Sequence, residues 1–246
     1  MIFITFEGCN CAGKTTLAEA VAMNLSKRGY SVQSGYAPGF IFTPHQVARC
    51  TPTRAATIFF DALQARRGYA PGFVLTPHQM ARLTPAQAAT IFFDDLQAQQ
   101  MDFDGIPERT ILLQDRWAES AYVYQGLVGA ASDGELRDAI YRRARQMTAP
   151  DLTIYLRVSP QIAAERIAER DGATPNIERL SDVIDAYDRL YRDSCSKFPY
   201  IAQIWSPSHV SGIWEQPVYR PLARAQFDEV VETVANLIID KWKEKY

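Results

Sequence analysis

The sequence predicts an α/β fold, one domain built on a parallel sheet of about five strands with helices on both faces. Three observations predict it. Short apolar, β-prone runs alternate with segments of helical spacing, the pattern that gives parallel strands joined by helical crossovers. The first run, Ile2-Phe3-Ile4-Thr5-Phe6, leads into Gly8-Cys9-Asn10-Cys11-Ala12-Gly13-Lys14-Thr15, a G-x-x-x-x-G-K-[ST] loop, and then into a helix-spaced segment marked by Leu17, Val21 and Leu25. Finally, 246 residues with 47% hydrophobic content can bury a full core without a second domain.

The loop carries the first chemical statement. Its two glycines let the backbone turn tightly so that successive N–H groups point inward, the next helix adds the positive end of its dipole, and Lys14 supplies a mobile cation. A polyphosphate fits there; the plainer reading is an ordinary Gly-rich strand-to-helix turn. A formal charge of -2 with acids and bases interspersed gives no broad footprint for nucleic acid, so small phosphorylated molecules are the expected partners. The N-terminus has no basic n-region, and no apolar run reaches the length of a membrane span. The four cysteines, Cys9, Cys11, Cys50 and Cys195, form no C-x-x-C pair and two sit inside the loop, which suits a reducing cytoplasm. Cys9 and Cys11 read as small residues tolerated in a tight loop, ahead of a redox or metal role.

The elements follow in order. The first helix ends near Gly29, and Tyr30 to Ser34 reads as a second strand. The chain then repeats itself: residues 35–67 and 68–100 are tandem copies of 33 residues, identical at 24 positions. The differences include apolar swaps (Ile41/Val74, Phe42/Leu75, Val47/Met80) and polar changes near the end (Arg66/Gln99, Arg67/Gln100), as core and surface positions would vary. Each copy opens with a Tyr-Ala-Pro-Gly-Phe turn and contains two Thr-Pro steps, a good N-cap followed by proline at the first helical position, so each unit predicts a loop, a short helix and a longer helix. Two units are too few for a solenoid. His45 and His78 occupy matching helix-start positions without other ligands around them. Thr110 to Gln114 is a buried strand with Asp115-Arg116 at its carboxyl end, where open α/β sheets bind ligands. A helix carrying Ser120, Tyr124 and Gln125 follows, with Gly126 placed to end it. A polar helix covers about 133–147, a fourth strand 151–158, and Pro160 opens a helix carrying Glu165, Arg166, Glu169 and Arg170. Residues 171–176 break that helix and 177–197 resume it, so arginines flank a Gly/Pro break over 166–180 as in a closing lid; the plainer reading is a solvated helix face. Ile201 to Trp205 reads as a last strand and Ala225 to Trp242 as an amphipathic helix.

Several stretches together resemble thymidylate kinase. Phe6-Glu7-Gly8 with Ala12-Gly13-Lys14-Thr15-Thr16 looks like that family's phosphate loop, and Leu83-Thr84-Pro85 with Ile91-Phe92-Phe93 is similar to its helix lining the thymine pocket. Asp115-Arg116-Trp117-Ala118-Glu119-Ser120-Ala121-Tyr122-Val123-Tyr124-Gln125-Gly126 fits its D-R-x-x-x-S-x-x-A-Y-Q-G segment at nearly every fixed position. Ala149 to Leu156 with Glu165-Arg166-Ile167 looks like its P-D-L-T-I-Y-L strand and the start of its lid. The resemblance covers about residues 1–197 and implies a three-layer P-loop NTPase fold over 1–246, a helical lid, and ATP- and Mg2+-dependent phosphorylation of a deoxynucleoside monophosphate, dTMP to dTDP. It implies that Gly8, Asn10, Ala12, Gly13, Lys14, Thr15 and Thr16 hold ATP, with Lys14 on the β/γ-phosphates and Thr15 on the metal. Arg116 would grip the acceptor phosphate, Asp115 would stand near the metal or the attacking oxygen, and Phe92 would stack on the base. Tyr124 and Gln125 would meet the base edge or the sugar, with Ser120 and Asn10 also on the acceptor side. Since Cys9 to Ala12 contain no arginine, the cation for the transferring phosphoryl falls to the lid, Arg170 first, then Arg166 or Arg179. The family also implies a homodimer through helices near the duplicated segment.

The sequence departs from the family at three acceptor-side positions. Asn10 stands where the family usually has an acid, Tyr36-Ala37-Pro38-Gly39 replaces an Arg-Glu-Pro-Gly turn, and Leu96 (Leu63 in the other copy) replaces an arginine that would help read the base. A kinase of the same architecture acting on another nucleoside, a modified pyrimidine nucleotide or a base is therefore a second reading, and a nucleotide-binding scaffold without turnover a third. For the duplication, the simplest arrangement uses the first turn and the last long helix in the pocket and extrudes the middle; the alternative places one entire copy in the native position.

Overall fold

The fold was analysed in a computed structural model, which describes residues 1–37, 82–172, 174–192, 201–205 and 224–246. The first copy of the repeat beyond Ala37 and the second copy up to Ala81, with His45, His78, Cys50, the second Tyr-Ala-Pro-Gly turn and the middle for which extrusion is expected, and also Ala173 and Cys195, lie outside the described residues.

Five parallel strands form one sheet: β1 (Ile2–Glu7), β2 (Ser31–Tyr36), β3 (Thr110–Asp115), β4 (Leu152–Leu156) and β5 (Ile201–Trp205). Their spatial order is β2-β3-β1-β4-β5, so the chain leaves β1 toward one edge and later returns to its other side. The expected fold class is what is observed. Around the sheet lie α1 (Lys14–Lys27), α2 (Pro85–Met101), α3 (Ala118–Ala121), α4 (Gly134–Ala144), α5 (Pro160–Asp171), α6 (Ile177–Arg192) and α7 (Arg224–Lys245).

The period-two alternation of β1 divides the core. Ile2, Ile4 and Phe6 face a cluster containing Leu17 and Val21 of α1, Val183 and Tyr187 of α6, and Val234 and Ile238 of α7. Phe3 faces the opposite cluster, with Phe93 and Leu96 of α2, Trp117, and Ile140 of α4. Helices thus cover both faces. Thr5, inside β1, meets Thr153 of β4 through their hydroxyls at 2.9 Å, which satisfies both in the buried sheet. Register sets the functional edge: Phe6 and Tyr36 both align with Asp115, and Glu7 aligns with Tyr155.

Two local results differ from expectation. The second strand runs on to Tyr36, because Gly35 and Tyr36 continue the parallel pairing with Gln114 and Asp115. Gly126 does not end the helix that starts at Ala118. A π-helical turn, Tyr122–Gly129, carries on through it. Gly126 lacks the positive φ of a helix-ending glycine; its role is space. A Cβ there would lie 2.7 Å from Tyr122 Cδ2 and 3.3 Å from Ile140 Cγ2, so the missing side chain lets α4 close onto the turn.

The helix that reaches the core is the long helix of the second copy. Thr84 caps α2, its hydroxyl accepting from Gln87 N at 3.3 Å while Gln87 Oε1 accepts from Thr84 N at 3.0 Å, a reciprocal capping box with proline at the first helical position. Farther along, Gln99 Nε2 donates to Asp95 Oδ2 at 2.6 Å and to the Tyr36 carbonyl at 3.4 Å, while Gln99 Oε1 accepts from Gln114 Nε2 at 3.0 Å. Gln100 Oε1 accepts from Thr148 N at 2.7 Å. The first copy has Arg54, Ala62, Arg66 and Arg67 at the positions of Gln87, Asp95, Gln99 and Gln100. The three arginines have no side-chain acceptor to replace Gln87, Gln99 or Gln100 Oε1, and Ala62 has no polar group to replace Asp95. So α2 belongs to copy two while Tyr36 and Ala37, which continue β2, belong to copy one.

Candidate active site

The carboxyl ends of β1, β3 and β4 meet at the Gly8–Thr15 loop. Gly8 adopts φ 141 and packs against the Leu156 backbone so closely that a Cβ would fall 2.4 Å from the Leu156 carbonyl oxygen, so only glycine fits. Gly13, at φ 98, turns the chain into α1. Cys11 holds φ 59 without being glycine, a conformation that costs about 1–2 kcal/mol. Lys14 is buried with its Nζ donating to the Cys9 carbonyl at 2.8 Å, and the Thr15 hydroxyl donates to Asp115 Oδ2. Loss of hydration, with the nearby Arg116 charge second, lowers the Lys14 ammonium to about 8, while Asp115 works in the opposite sense. Burial raises the thiols of Cys9 and Cys11, the reverse of what an activated thiolate needs.

Arg116 stands at the end of β3 with φ 73, a strained value for a side-chain-bearing residue. Surrounding contacts hold it there. Its backbone N donates to the Phe6 carbonyl at 3.0 Å, and its Nη1 donates to the Gly8 carbonyl at 3.1 Å and to Ser120 Oγ at 2.9 Å. Its Nη2 donates to Asn10 Oδ1 at 2.6 Å, and its guanidinium lies over the Tyr124 ring, 5.3 Å from the centroid. Tyr124 in turn accepts from Asn10 N at 3.1 Å. The acceptor-segment residues Arg116, Ser120 and Tyr124 are therefore joined to the phosphate loop through Asn10 and Gly8.

Beneath this arginine lies a group to which the sequence reading gave no role. Glu7 is fully buried: Trp117 N donates to its Oε1 at 2.7 Å, and Ser120 Oγ and Tyr187 OH donate to its Oε2 at 2.5 and 3.0 Å. Burial raises its carboxyl above the ordinary value, against the opposing pull of Ser120, Arg116, Trp117 N–H and Tyr187. A carboxylate closing the otherwise apolar run Ile2-Phe3-Ile4-Thr5-Phe6 was the available signal. Tyr187, on α6, carried none, since its partners lie up to 180 residues away.

Of the other expected site residues, Arg166 donates to the Cys11 carbonyl at 3.2 Å and so touches the loop. Arg170 is paired with Asp171 through two contacts of 2.7 and 2.8 Å. Phe92 is partly buried against the α2-side core, Gln125 is half-buried, and Leu96 belongs to that core. Arg179 is exposed.

The arrangement fits a divalent cation. Asp115 Oδ2 accepts from Thr15, but its buried Oδ1 has no hydrogen-bond partner among the described residues, an uncompensated acceptor beside a threonine hydroxyl. Mg2+ is commonly held by one carboxylate together with substrate phosphates. The loop fits a polyphosphate: α1 begins directly after Gly13, so its amino end opens on the loop whose Cys9 carbonyl Lys14 Nζ meets.

A sheet of this order with a G-x-x-x-x-G-K-[ST] loop at the carboxyl end of its first strand defines a protein of the P-loop class. The sequence profile of the family described as Thymidylate kinase matches residues 75–201, just over half of the chain, from inside the second repeat copy to the last strand. The chain is similar to the thymidylate kinase of Shouchella clausii, 30% identical over 174 residues, 68% of this chain and 67% of that one. It is also similar to those of Bacillus velezensis, 29% over 175 residues (71% and 72%), and Bacillus licheniformis, 27% over 201 residues (80% and 84%). The chain belongs to the thymidylate kinase family and is accordingly a phosphotransferase acting on nucleotides. Among the described residues, no helix is long and apolar enough to cross a membrane.

Proposed function

We propose that the chain transfers the γ-phosphoryl group of ATP to dTMP, giving ADP and dTDP. The observation that carries the reading is the joining of Arg116, Ser120 and Tyr124 to the phosphate loop through Asn10 and Gly8, with Thr15 and Asp115 alongside. An oxygen of the dTMP phosphate attacks the γ-phosphorus, the bond to the β–γ bridging oxygen breaks, and ADP leaves; such chemistry is mostly positioning and charge stabilisation.

In this reading Gly8, Ala12, Gly13, Lys14, Thr15 and Thr16 cradle ATP, Arg116 orients the acceptor phosphate, and Tyr124, Gln125 and Phe92 bound the thymidine. Thr15 and Asp115 would hold Mg2+, which when bound neutralises phosphate charge. Arg166, already on the loop, and Arg170, once released from Asp171, supply the cation that residues 9–12 lack. Residues 166–180 act as the lid, the whole chain is one kinase domain, and a cytoplasmic homodimer through helices beside the duplicated segment completes the proposal.

One set of observations favours a second reading on the same scaffold. Asn10 presents a neutral amide oxygen to Arg116, Tyr36 ends β2 where the family has an arginine, and Leu96 is buried in the core. The acceptor site is thus poorer in charge than the family's, which suits a modified pyrimidine monophosphate or a nucleoside. ADP release in the presence of ATP, Mg2+ and, separately, dTMP, other monophosphates and nucleosides distinguishes the two. Release with dTMP alone supports the first, release with another acceptor the second, and no release with any of them refutes both.

A further inference from the structure

Tyr187 is completely buried, on a helix that begins just after the arginine-bearing break. Its ring stacks on Tyr155 of β4 (centroids 5.4 Å apart) and on Tyr191 (6.0 Å), and it meets Tyr124 edge-on at 6.5 Å. These contacts fix the ring. Its hydroxyl then reaches two groups at once, Ser120 Oγ at 2.7 Å and Glu7 Oε2 at 3.0 Å. Ser120 Oγ is also the acceptor of Arg116 Nη1, and Ser120 passes its own proton to Glu7. With its proton on Glu7 and one lone pair on Arg116 Nη1, Ser120 Oγ keeps one lone pair facing the phenol, whose single proton is shared between Ser120 Oγ and Glu7 Oε2.

We propose that Tyr187 is a positioning residue for the acceptor phosphate: through Ser120 and Glu7 it fixes the Arg116 guanidinium toward the phosphate loop. Arg116 has a strained backbone, and among the described residues its charged end is held by the neutral acceptors Gly8 O, Asn10 Oδ1 and Ser120 Oγ, so its direction depends on how firmly those acceptors are held. Two of them belong to the loop that must accommodate ATP; Ser120 alone is anchored from beneath. That anchor comes from β1 through Glu7 and from α6 through Tyr187, elements separated by 180 residues in sequence and brought together only by the fold. Burial, and then the Glu7 carboxyl, keep the phenol protonated well above ordinary pH, so the hydroxyl remains a donor throughout the working range. The same link ties the helix following the Arg166–Arg170 segment to the acceptor side, so the two cationic halves of the site share a common support.

The inference rests on the reading of Arg116 as the grip on the acceptor phosphate, and steady-state kinetics on the full chain separates the two. Tyr187→Phe keeps the ring stack and removes only the hydroxyl; its KM for dTMP should rise about tenfold, the scale of one buried hydrogen bond, with the KM for ATP changed by less than about twofold. Ser120→Ala cuts the link at its other end and should give the same selective rise. Tyr187→Phe placed on Ser120→Ala should add nothing, since both break one path. Arg116→Ala tests the underlying reading: an unchanged KM for dTMP in that variant overturns the reading itself. A rise in Arg116→Ala with no selective rise in Tyr187→Phe overturns the inference alone, as does an equal rise for ATP and dTMP, or multiplying effects in the double variant. Should Tyr187→Phe fail to fold, an unchanged KM for dTMP in Ser120→Ala still overturns it.

Discussion

Arg170 and Glu7 show how single charges are held in readiness. The Arg170 guanidinium is occupied by Asp171, so its charge reaches a bound phosphate only by exchanging one anion for another. Such a cation acts on the transferring group more than on the resting nucleotide. Arg170→Ala should lower kcat by about a thousandfold with ATP affinity nearly intact, measured by turnover and by equilibrium ATP binding; unchanged turnover would remove Arg170 from the mechanism. Glu7 predicts a pH dependence. An unfolded carboxyl titrates near 4.5, and burial raises the folded value, so over the interval between them the folded state holds a proton that the unfolded chain has released. Its contribution to stability is therefore fully present below 4.5 and declines as pH rises through the folded value. Glu7→Gln removes that term. The denaturant midpoint of the variant relative to the parent should shift upward between pH 5 and pH 8; a pH-independent difference would show that Glu7 titrates the same way folded and unfolded. Lys14, Thr15, Asp115 and Arg116 were legible in the sequence because local spacing defines them. The support given by Glu7 and Tyr187 was not, because it depends on contacts 67 to 180 residues apart.

At the scale of elements, α2 explains which copy of the repeat the fold uses. Four of its positions that differ from the first copy make specific contacts, the capping box at Gln87 and the network of Asp95, Gln99 and Gln100. Deleting 35–67 leaves all four; deleting 68–100 replaces them with Arg54, Ala62, Arg66 and Arg67. Loss of the glutamine half of the capping box and of the part-buried hydrogen bonds of Asp95 and Gln99 should make the second deletion less stable than the first by about 1–3 kcal/mol, read from urea unfolding. Equal stabilities would mean that α2 owes nothing to those side chains. The Thr84-Pro85 start of this helix could be read directly, since capping is a local matter. The π-helical turn through Gly126 could not: nothing in Tyr122 to Gly129 marks it, and it follows from Ile140 of α4 closing on a glycine that has no side chain.

For the molecule as a whole, alternating strands and helices and a single motif were enough to give the sheet, its covered faces and the edge where the site forms. Sequence alone left open which copy enters the core, because copies identical at 24 of 33 positions have the same hydrophobic pattern, and only the few polar differences met by Tyr36, Gln114 and Thr148 decide it. In the proposed reading the site has its donor half on β1 and α1 and its acceptor half on β3 and the helix after it, joined by Arg116. That joining is the central claim, and phosphorus NMR of the protein with ATP, Mg2+ and dTMP tests it most directly. The account predicts that dTDP and ADP appear in equal amounts while ATP and dTMP decline together, with no ADP formed when dTMP is omitted. ADP without dTDP, or ATP and dTMP persisting side by side, would contradict it.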